Sequence, residues 1–253
     1  MKRIVGYCVV AVVVLLACNK NSSVNTTGQI LFIQASPDAP ALDVYLDGKI
    51  FLQNLSYGPD TAKYNFLNAG NYKMQIAPAG TTNYSSTAIF NINPSKQYSL
   101  FTIDSVSSLT VAAVEDNFTI PNADTCLIRF FHFSPNTYAV DASIQYPVPD
   151  TIITPIDTVN GVIQYDTSIN SGFTLLGYNR KFNDQATSNS YTSFTTITAG
   201  TYRYLVYNTG TANPALMDTT FAFQGGKVYT FYLKGFQDTT THKVHTGIII
   251  HNQ

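Results

Sequence analysis

The chain has 253 residues, a formal net charge of −1 and a charged fraction of only 11%, against roughly 25% for an average soluble protein. It holds a single glutamate, Glu115, no tryptophan, 17 tyrosines, 16 phenylalanines and 31 threonines. Such a chain is poor in surface helix formers and rich in strand formers, which excludes helical bundles, α/β nucleotide folds and coiled coils. The near-neutral charge excludes a nucleic-acid binder, which needs a basic face.

The first element in chain order is a targeting segment. Met1, Lys2 and Arg3 make a basic start, and residues 4–17 form an apolar run of 14 residues, short of the roughly 20 that a membrane-spanning helix needs. This is the layout of a secretory signal peptide. The run ends in Leu15, Leu16, Ala17 and Cys18, which resembles a bacterial lipobox: an aliphatic residue three before the cysteine and a small one just before it. On this reading residues 1–17 are the signal, cleaved after Ala17, and the Cys18 thiolate accepts the lipid. Several acyl chains then give stable membrane attachment. Residues 18–28 are a polar, flexible tether. Asn19 suits transport to the outer membrane, and the lack of acidic residues from Asn19 to Ser23 favours the periplasmic face over the cell surface. Cys126 is then the remaining thiol, so no intramolecular disulfide is expected in the mature chain. It sits in a strand-like run and reads as a small buried apolar residue.

An internal repeat follows. Ile30, Leu31, Phe32 and Ile33 lead to Ser36-Pro37, as Ile128, Arg129, Phe130 and Phe131 lead to Ser134-Pro135. Seven residues after each serine stands an aspartate, Asp43 or Asp141. Ala69-Gly70-Asn71-Tyr72 matches Ala199-Gly200-Thr201-Tyr202, and Lys96-Gln97-Tyr98 matches Lys227-Val228-Tyr229. The offset grows from 98 at the Ser-Pro step to 130 at Ala-Gly and 131 at the tyrosine, so the second copy carries about 32 extra residues between Ile144 and Tyr191. Leu42, Val44 and Leu46 alternate with Asp43, Tyr45 and Asp47, the period of a half-buried strand, and Asp47-Gly48 suits a tight hairpin. Tyr72, Met74 and Ile76, then Tyr202, Tyr204 and Val206, and Tyr229, Phe231 and Leu233 repeat the pattern. Short strands at this spacing predict two all-β sandwich domains: residues 29–117, a linker over 118–125, and residues 126–253 with an insert at about 147–189.

The stretch Ser36-Pro37-Asp38-Ala39-Pro40-Ala41-Leu42-Asp43-Val44-Tyr45-Leu46-Asp47-Gly48 resembles the opening of the DUF4397 domain, and the later Ala-Gly-x-Tyr and Lys-x-Tyr also fit it. The second copy is similar but more divergent, with Asn136 in place of the first aspartate. The resemblance implies tandem immunoglobulin-like antiparallel β-sandwiches on a bacterial extracytoplasmic lipoprotein. It implies no catalytic residue.

Three constellations could carry chemistry. Asp38, Asp43 and Asp47 are candidates for calcium, since hard cations want clustered oxygens. Turn chemistry explains them as well: Asp38 follows Pro37, Asp43 faces out of an alternating strand, and Asp47 starts a hairpin. Because the second copy keeps only Asp141, with Ser134 and Pro135, the shared role of Ser36, Pro37, Asp43 and their counterparts reads as structural hydrogen bonding, without metal. His242, His245 and His251 are spaced so that 242 and 245 face opposite sides of a strand, which suits solvated edge or loop histidines better than zinc or copper ligands. Tyr57, Tyr64, Tyr84, Tyr165, Tyr178 and Tyr191 fall in or near loops and could serve a glycan surface, although most aromatics lie at strand positions suited to packing. There is no HExxH, no CxxC and no Ser-His-Asp set with a glycine elbow, and Gly225-Gly226 reads as a turn with no helix after it to bind phosphate.

The sequence thus leads to the expectation of a non-enzymatic envelope lipoprotein without cofactor, held in the membrane by its N-terminal lipid. Its partner would be an envelope protein or a glycan, with the insert as the first place to look. Cys18→Ala should move the protein from the membrane fraction to the soluble periplasmic fraction, read by immunoblot of fractionated cells. Unchanged membrane retention would overturn the anchor.

Overall fold

The structure, a computed structural model, describes residues 26–58, 63–145, 150–159, 162–170, 172–211, 214–237 and 240–252. The first half contains β1 (Thr27–Gln34), β2 (Leu42–Leu46), β3 (Lys49–Leu55), β4 (Asn65–Asn68), β5 (Gly70–Pro78), β6 (Ser86–Ile92), β7 (Gln97–Ile103) and β8 (Thr110–Glu115). The second contains β9 (Thr125–His132), β10 (Val140–Gln145), β11 (Asp150–Val159), β12 (Val162–Asn170), β13 (Phe173–Arg180), β14 (Thr195–Thr198), β15 (Gly200–Asn208), β16 (Met217–Phe223), β17 (Val228–Lys234) and β18 (His245–Ile250). The all-β, two-sandwich fold expected from the sequence is the fold observed.

Each sandwich pairs an outer sheet with an inner one. In the first the orders are β3-β2-β5-β6 and β4-β1-β7-β8; in the second they are β13-β10-β15-β16 and β14-β9-β17-β18. Strand for strand these orders are the same once the β11–β12 hairpin is set aside. That hairpin forms a separate two-stranded sheet within the insert. Pairing is antiparallel except at β1 with β7 and β9 with β17, which run parallel in the two inner sheets.

The repeat motifs have a shared geometric purpose. Asp43 Oδ1 accepts the Asn54 amide and Oδ2 the Gly80 amide, both at 2.8 Å. Asp141 Oδ1 accepts the Asn179 amide at 2.7 Å and the Thr209 hydroxyl at 2.8 Å. Asn54 and Asn179 both have left-handed backbones, φ 56° and 50°, at register irregularities where the edge strand meets β2 or β10. Each aspartate therefore pins a bulged edge strand whose left-handed residue would otherwise be strained. This corrects the expectation that Asp43 faces outward: its carboxylate turns into the backbone it holds, and the residue is buried. In the Ala-Gly-x-Tyr motifs the Tyr72 hydroxyl donates to Asn68 O at 2.8 Å and the Tyr202 hydroxyl to Thr198 O at 2.9 Å, each fixing the turn four residues upstream.

Three apolar layers separate the four sheets. Ile30, Phe32, Val44, Ile76 and Leu100 fill the first sandwich. Ile128, Phe130, Ala142, Tyr204 and Phe231 fill the second. The third layer lies between the two inner sheets, where Leu31, Ile33, Phe101 and Val114 meet Phe131, Phe133, Tyr232 and Ile249. β1 and β9 are consequently buried on both faces, so the half-buried strand period expected from the sequence does not hold for these central strands. Strands covered on both sides are near-continuous apolar runs, and Ile30 through Ile33 is such a run.

The stretch 118–125, expected as a linker, runs along the junction of the sandwiches, and its last residue, Thr125, already opens β9. Gly226 N donates to Asn122 O at 3.0 Å and to Thr125 O at 2.8 Å. The backbone of Ala123 passes so close to Gly225 that an added Cβ would overlap its carbonyl. Gly225-Gly226 is therefore a turn that lets the connector cross over it. Gly225→Ala should lower unfolding free energy by about 1–3 kcal/mol, the usual cost of overpacking, measured by urea denaturation.

Candidate functional site

Polar side chains interrupt the apolar layer between the inner sheets. Asp116, just after β8, and Arg129, in β9, form a fully buried ion pair through Arg129 Nη2 and Asp116 Oδ1. Around it runs a closed ring of hydrogen bonds. Arg129 Nε donates to Thr230 Oγ1 at 2.7 Å. Thr230 Oγ1 and His251 Nε2 are 2.7 Å apart, as are His251 Nδ1 and the Tyr64 hydroxyl. Tyr64 donates to Asp116 Oδ2 at 2.6 Å, and Ser99 donates to the same oxygen at 2.8 Å. One proton assignment satisfies the whole ring: Thr230 donates to Nε2 of a neutral imidazole, and Nδ1–H donates to Tyr64. Tyr64, Ser99 and Asp116 come from the first sandwich, Arg129, Thr230 and His251 from the second.

The electrostatics agree with that assignment. Burial holds the His251 imidazole down at about 4, against the opposing pull of Asp116. Burial, then the charge of Asp116, pushes the Tyr64 phenol far above its ordinary range. The Arg129 guanidinium also lies over the rings of Phe194 and Phe131, at 4.3 and 4.7 Å, which favours the cation in this buried site.

At one end of this network the two inner sheets part, and a groove opens along the connector. It consists of two adjoining depressions of about 350 Å³ and about 680 Å³ that share Glu115, Asn117 and Phe118. Gln29, Phe66 and Gln97 line the first; Leu127, Asn189, Thr192 and Phe194 line the second. Phe118 and Phe194 meet edge to face at 5.6 Å. Glu115 and Lys96 pair with each other at 2.6 Å. The Asp116 carboxylate belongs to the buried ring.

The residues singled out in the sequence are dispersed. Ala17 and Cys18 lie outside the described residues. Asp38, Asp43 and Asp47 serve three different sets of backbone amides, at Val106, at Asn54 and Gly80, and at Lys73; among the described residues no three His, Cys, Asp or Glu side chains gather as metal ligands. Ser36 and Ser134 are buried in the turns that contain Pro37 and Pro135, and Ser134 donates to Gly235 O at 2.6 Å. Cys126 lies in the second core, where burial pushes its thiol up to about 11, far from a nucleophile's range.

The histidines depart from expectation. His251 is buried in the junction ring, not solvated. His242 adopts a left-handed turn, φ 57°, which removes the strand geometry that would separate it from His245. Both rings approach Tyr57, at 5.5 and 5.7 Å, and Lys234 Nζ lies 4.9 Å from the same ring. Of the loop tyrosines, Tyr64 belongs to the ring and Tyr84 packs on Tyr45. Tyr191 lies over Arg180, Tyr178 is exposed, and Tyr165 pairs with Pro155 in the hairpin backbone. The sequence reasoning missed Asp116, Arg129, Thr230 and the groove. An arginine within the apolar run of β9 was the available signal.

The fold and junction define an all-β protein of two face-packed sandwiches with an interdomain groove. Within it, residues 28–143 match the family described as Domain of unknown function (DUF4397). That match covers the first sandwich and ends inside β10. No curated protein matches the chain. Among solved structures, similarity is found to the Bacillus anthracis TIE protein, at 10% identity over 83% of this chain and 34% of that one, with a TM-score of 0.22; this chain spans about a third of that length. A CBM26 module from Eubacterium rectale Amy13K in complex with maltoheptaose matches at 10% identity over 87% and 96% of the chains, TM-score 0.22. A streptococcal virulence factor described for alpha-glucan binding matches at 11% identity over 88% and 97%, TM-score 0.24.

Two outcomes follow from the buried ring. Arg129→Met leaves the Asp116 charge buried without its partner and should cost about 3–5 kcal/mol of stability; replacing both residues with uncharged ones should recover part of that loss. The second concerns pH. His251 and His132 are both held near about 4 by burial, so below their ordinary value of 6.5 the unfolded chain takes up protons that the folded chain does not. Stability should therefore fall as pH drops from about 6.5 to 5, by up to about 1.4 kcal/mol per histidine per pH unit. His251→Gln should remove about half of that slope, read from denaturation midpoints at stepped pH.

Proposed function

We propose that this chain is a non-enzymatic, lipid-anchored binding protein of the bacterial cell envelope, attached at the outer membrane on its periplasmic face, and that the groove between its sandwiches receives the partner. The observation that supports this reading is the chemistry of the groove itself. Its lining sets the half-buried rings of Phe118 and Phe194 and the exposed ring of Phe66 beside amide and hydroxyl side chains, and its charged groups are engaged with one another or with the buried ring. That suits holding a ligand; a hydrolase would need a free base beside a nucleophile. Clefts at domain junctions are common ligand sites, and face-to-face packing of the sandwiches keeps this one preformed. The attachment rests on Lys2, Arg3, Ala17 and Cys18.

A photo-crosslinking residue in place of Asn117, an exposed groove position, should yield a discrete adduct in intact cells. The same residue in place of Thr220, on the far outer sheet in β16, should not. Absence of any adduct from Asn117, or measurable turnover of ester, peptide or glycoside panels by the purified full chain, would overturn the reading.

A further inference from the structure

We infer that the groove takes an uncharged, polyhydroxylated ligand, an oligosaccharide segment, and that Phe66, Gln29 and Gln97 form its docking platform. This inference rests on the binding reading above and gives it a ligand class.

Three neighbouring strands build the platform. Phe66 in β4 pairs directly with Gln29 in β1, and Gln29 pairs with Gln97 in β7. Directly paired residues share a face, and neighbouring strands lie about 4.8 Å apart, so an aromatic ring and two amides stand side by side on one flat surface. It is the same face that, farther along β1 and β7, carries Leu31 and Phe101 into the junction core. At this end the second sandwich does not cover it, and Phe66 is 71% exposed.

Phe66 is hard to account for as packing. It is a large ring left open at the edge of a sheet whose central strands, β1 and β7, are buried on both faces. A flat apolar ring presented to solvent suits the axial C–H face of a sugar. Beside it, Gln97 Nε2 donates to Gln29 Oε1 at 3.1 Å. That bond orients both amides and leaves Gln29 Nε2 and Gln97 Oε1 with no partner among the described residues. One is a donor and the other an acceptor. Hydroxyl groups, which both donate and accept, can satisfy the two together; a carboxylate or an ammonium ion can satisfy only one kind. Asn117 adds another exposed amide at the point shared by the two depressions.

Charge selects in the same direction. The lining places Lys96 and Glu115 at opposite sign in mutual contact, and an ionic ligand would have to compete with that pair. An uncharged ligand leaves it intact. The two depressions also form one run past Phe118 to Phe194, so the groove suits a chain of several sugar units over a single one.

The test is isothermal titration of the full chain in detergent micelles with uncharged hexasaccharides of glucose, mannose, xylose and N-acetylglucosamine, and with hexagalacturonate as the anionic control. At least one uncharged probe should bind at millimolar concentration or below. Phe66→Ala should weaken that binding about tenfold, equivalent to roughly 1.4 kcal/mol, and Phe66→Tyr should retain it. Gln97→Ala should also weaken it, while Tyr178→Ala, on the far outer sheet, should leave it unchanged. Because Phe66 and Tyr178 are solvent-exposed, their variants should melt with the parent. Binding of hexagalacturonate alone would overturn the inference, as would binding unaffected by Phe66→Ala and Gln97→Ala. If no sugar binds but crosslinking at Asn117 yields a protein adduct, the ligand class falls and the binding role stands. If both are silent, both fall.

Discussion

A buried arginine facing a buried aspartate across two sheets is the constraint around which this molecule is arranged. Neither charge could stand alone in an apolar layer, because removing an ion from water costs several kcal/mol even after relaxation. Arg129 and Asp116 therefore require each other, and Tyr64, Ser99, Thr230 and His251 complete the hydrogen bonds that the pair leaves open. Since the contributors come from both sandwiches, this ring fixes how one sandwich sits on the other. Apolar contact between Phe101 and Phe131, Phe133 and Tyr232 supplies area; it does not by itself select one register.

Both the layering of the sheets and the groove follow from that arrangement. Two similar sandwiches meet through corresponding inner sheets, so strands that would each have one wet face become central layers of a four-sheet stack. The apolar layer closes one part of the junction and the polar ring seals its middle. Beyond the ring the sheets part, and the connector crosses the gap with Phe118 packed on Phe194 and His251. The groove is thus the unsealed end of an interface, and its shape depends on the ring remaining intact. The chemistry at its rim, amides and aromatic rings with few free charges, continues the low charge of the whole chain.

The repeat was legible because its motifs act locally. Asp43 and Asp141 serve backbone bulges within their own sandwich, and Tyr72 and Tyr202 close turns only four residues away, so spacing along the chain carries their meaning. Strand positions were legible for the same reason, since alternation is a property of a few consecutive residues. Asp43 itself was misread as outward-facing, because alternation cannot register a carboxylate that bends back to its own sheet. His251 was misread as solvated because nothing near it in sequence reveals Tyr64, which is 187 residues away. Residues 28–143 carry the family signal, while the second sandwich repeats the topology with its motifs partly replaced. The two sandwiches share their strand order although only part of the motif set is common to both.

By itself, the sequence determined an all-β chain, its division into two sandwiches and the motifs that pin each edge strand, and it raised the expectation of an N-terminal lipid anchor. All of these are encoded in composition, period or short spacing. Only the tertiary structure decided that the central strands of the inner sheets are buried on both faces, that Arg129 pairs with Asp116, that His251 is enclosed, and that Phe66 lies open beside Gln29 and Gln97. Each of these depends on one sandwich meeting the other. The energy of that meeting, desolvation of charges and burial of apolar faces, is a property of surfaces assembled from distant parts of the chain, and no local pattern records it.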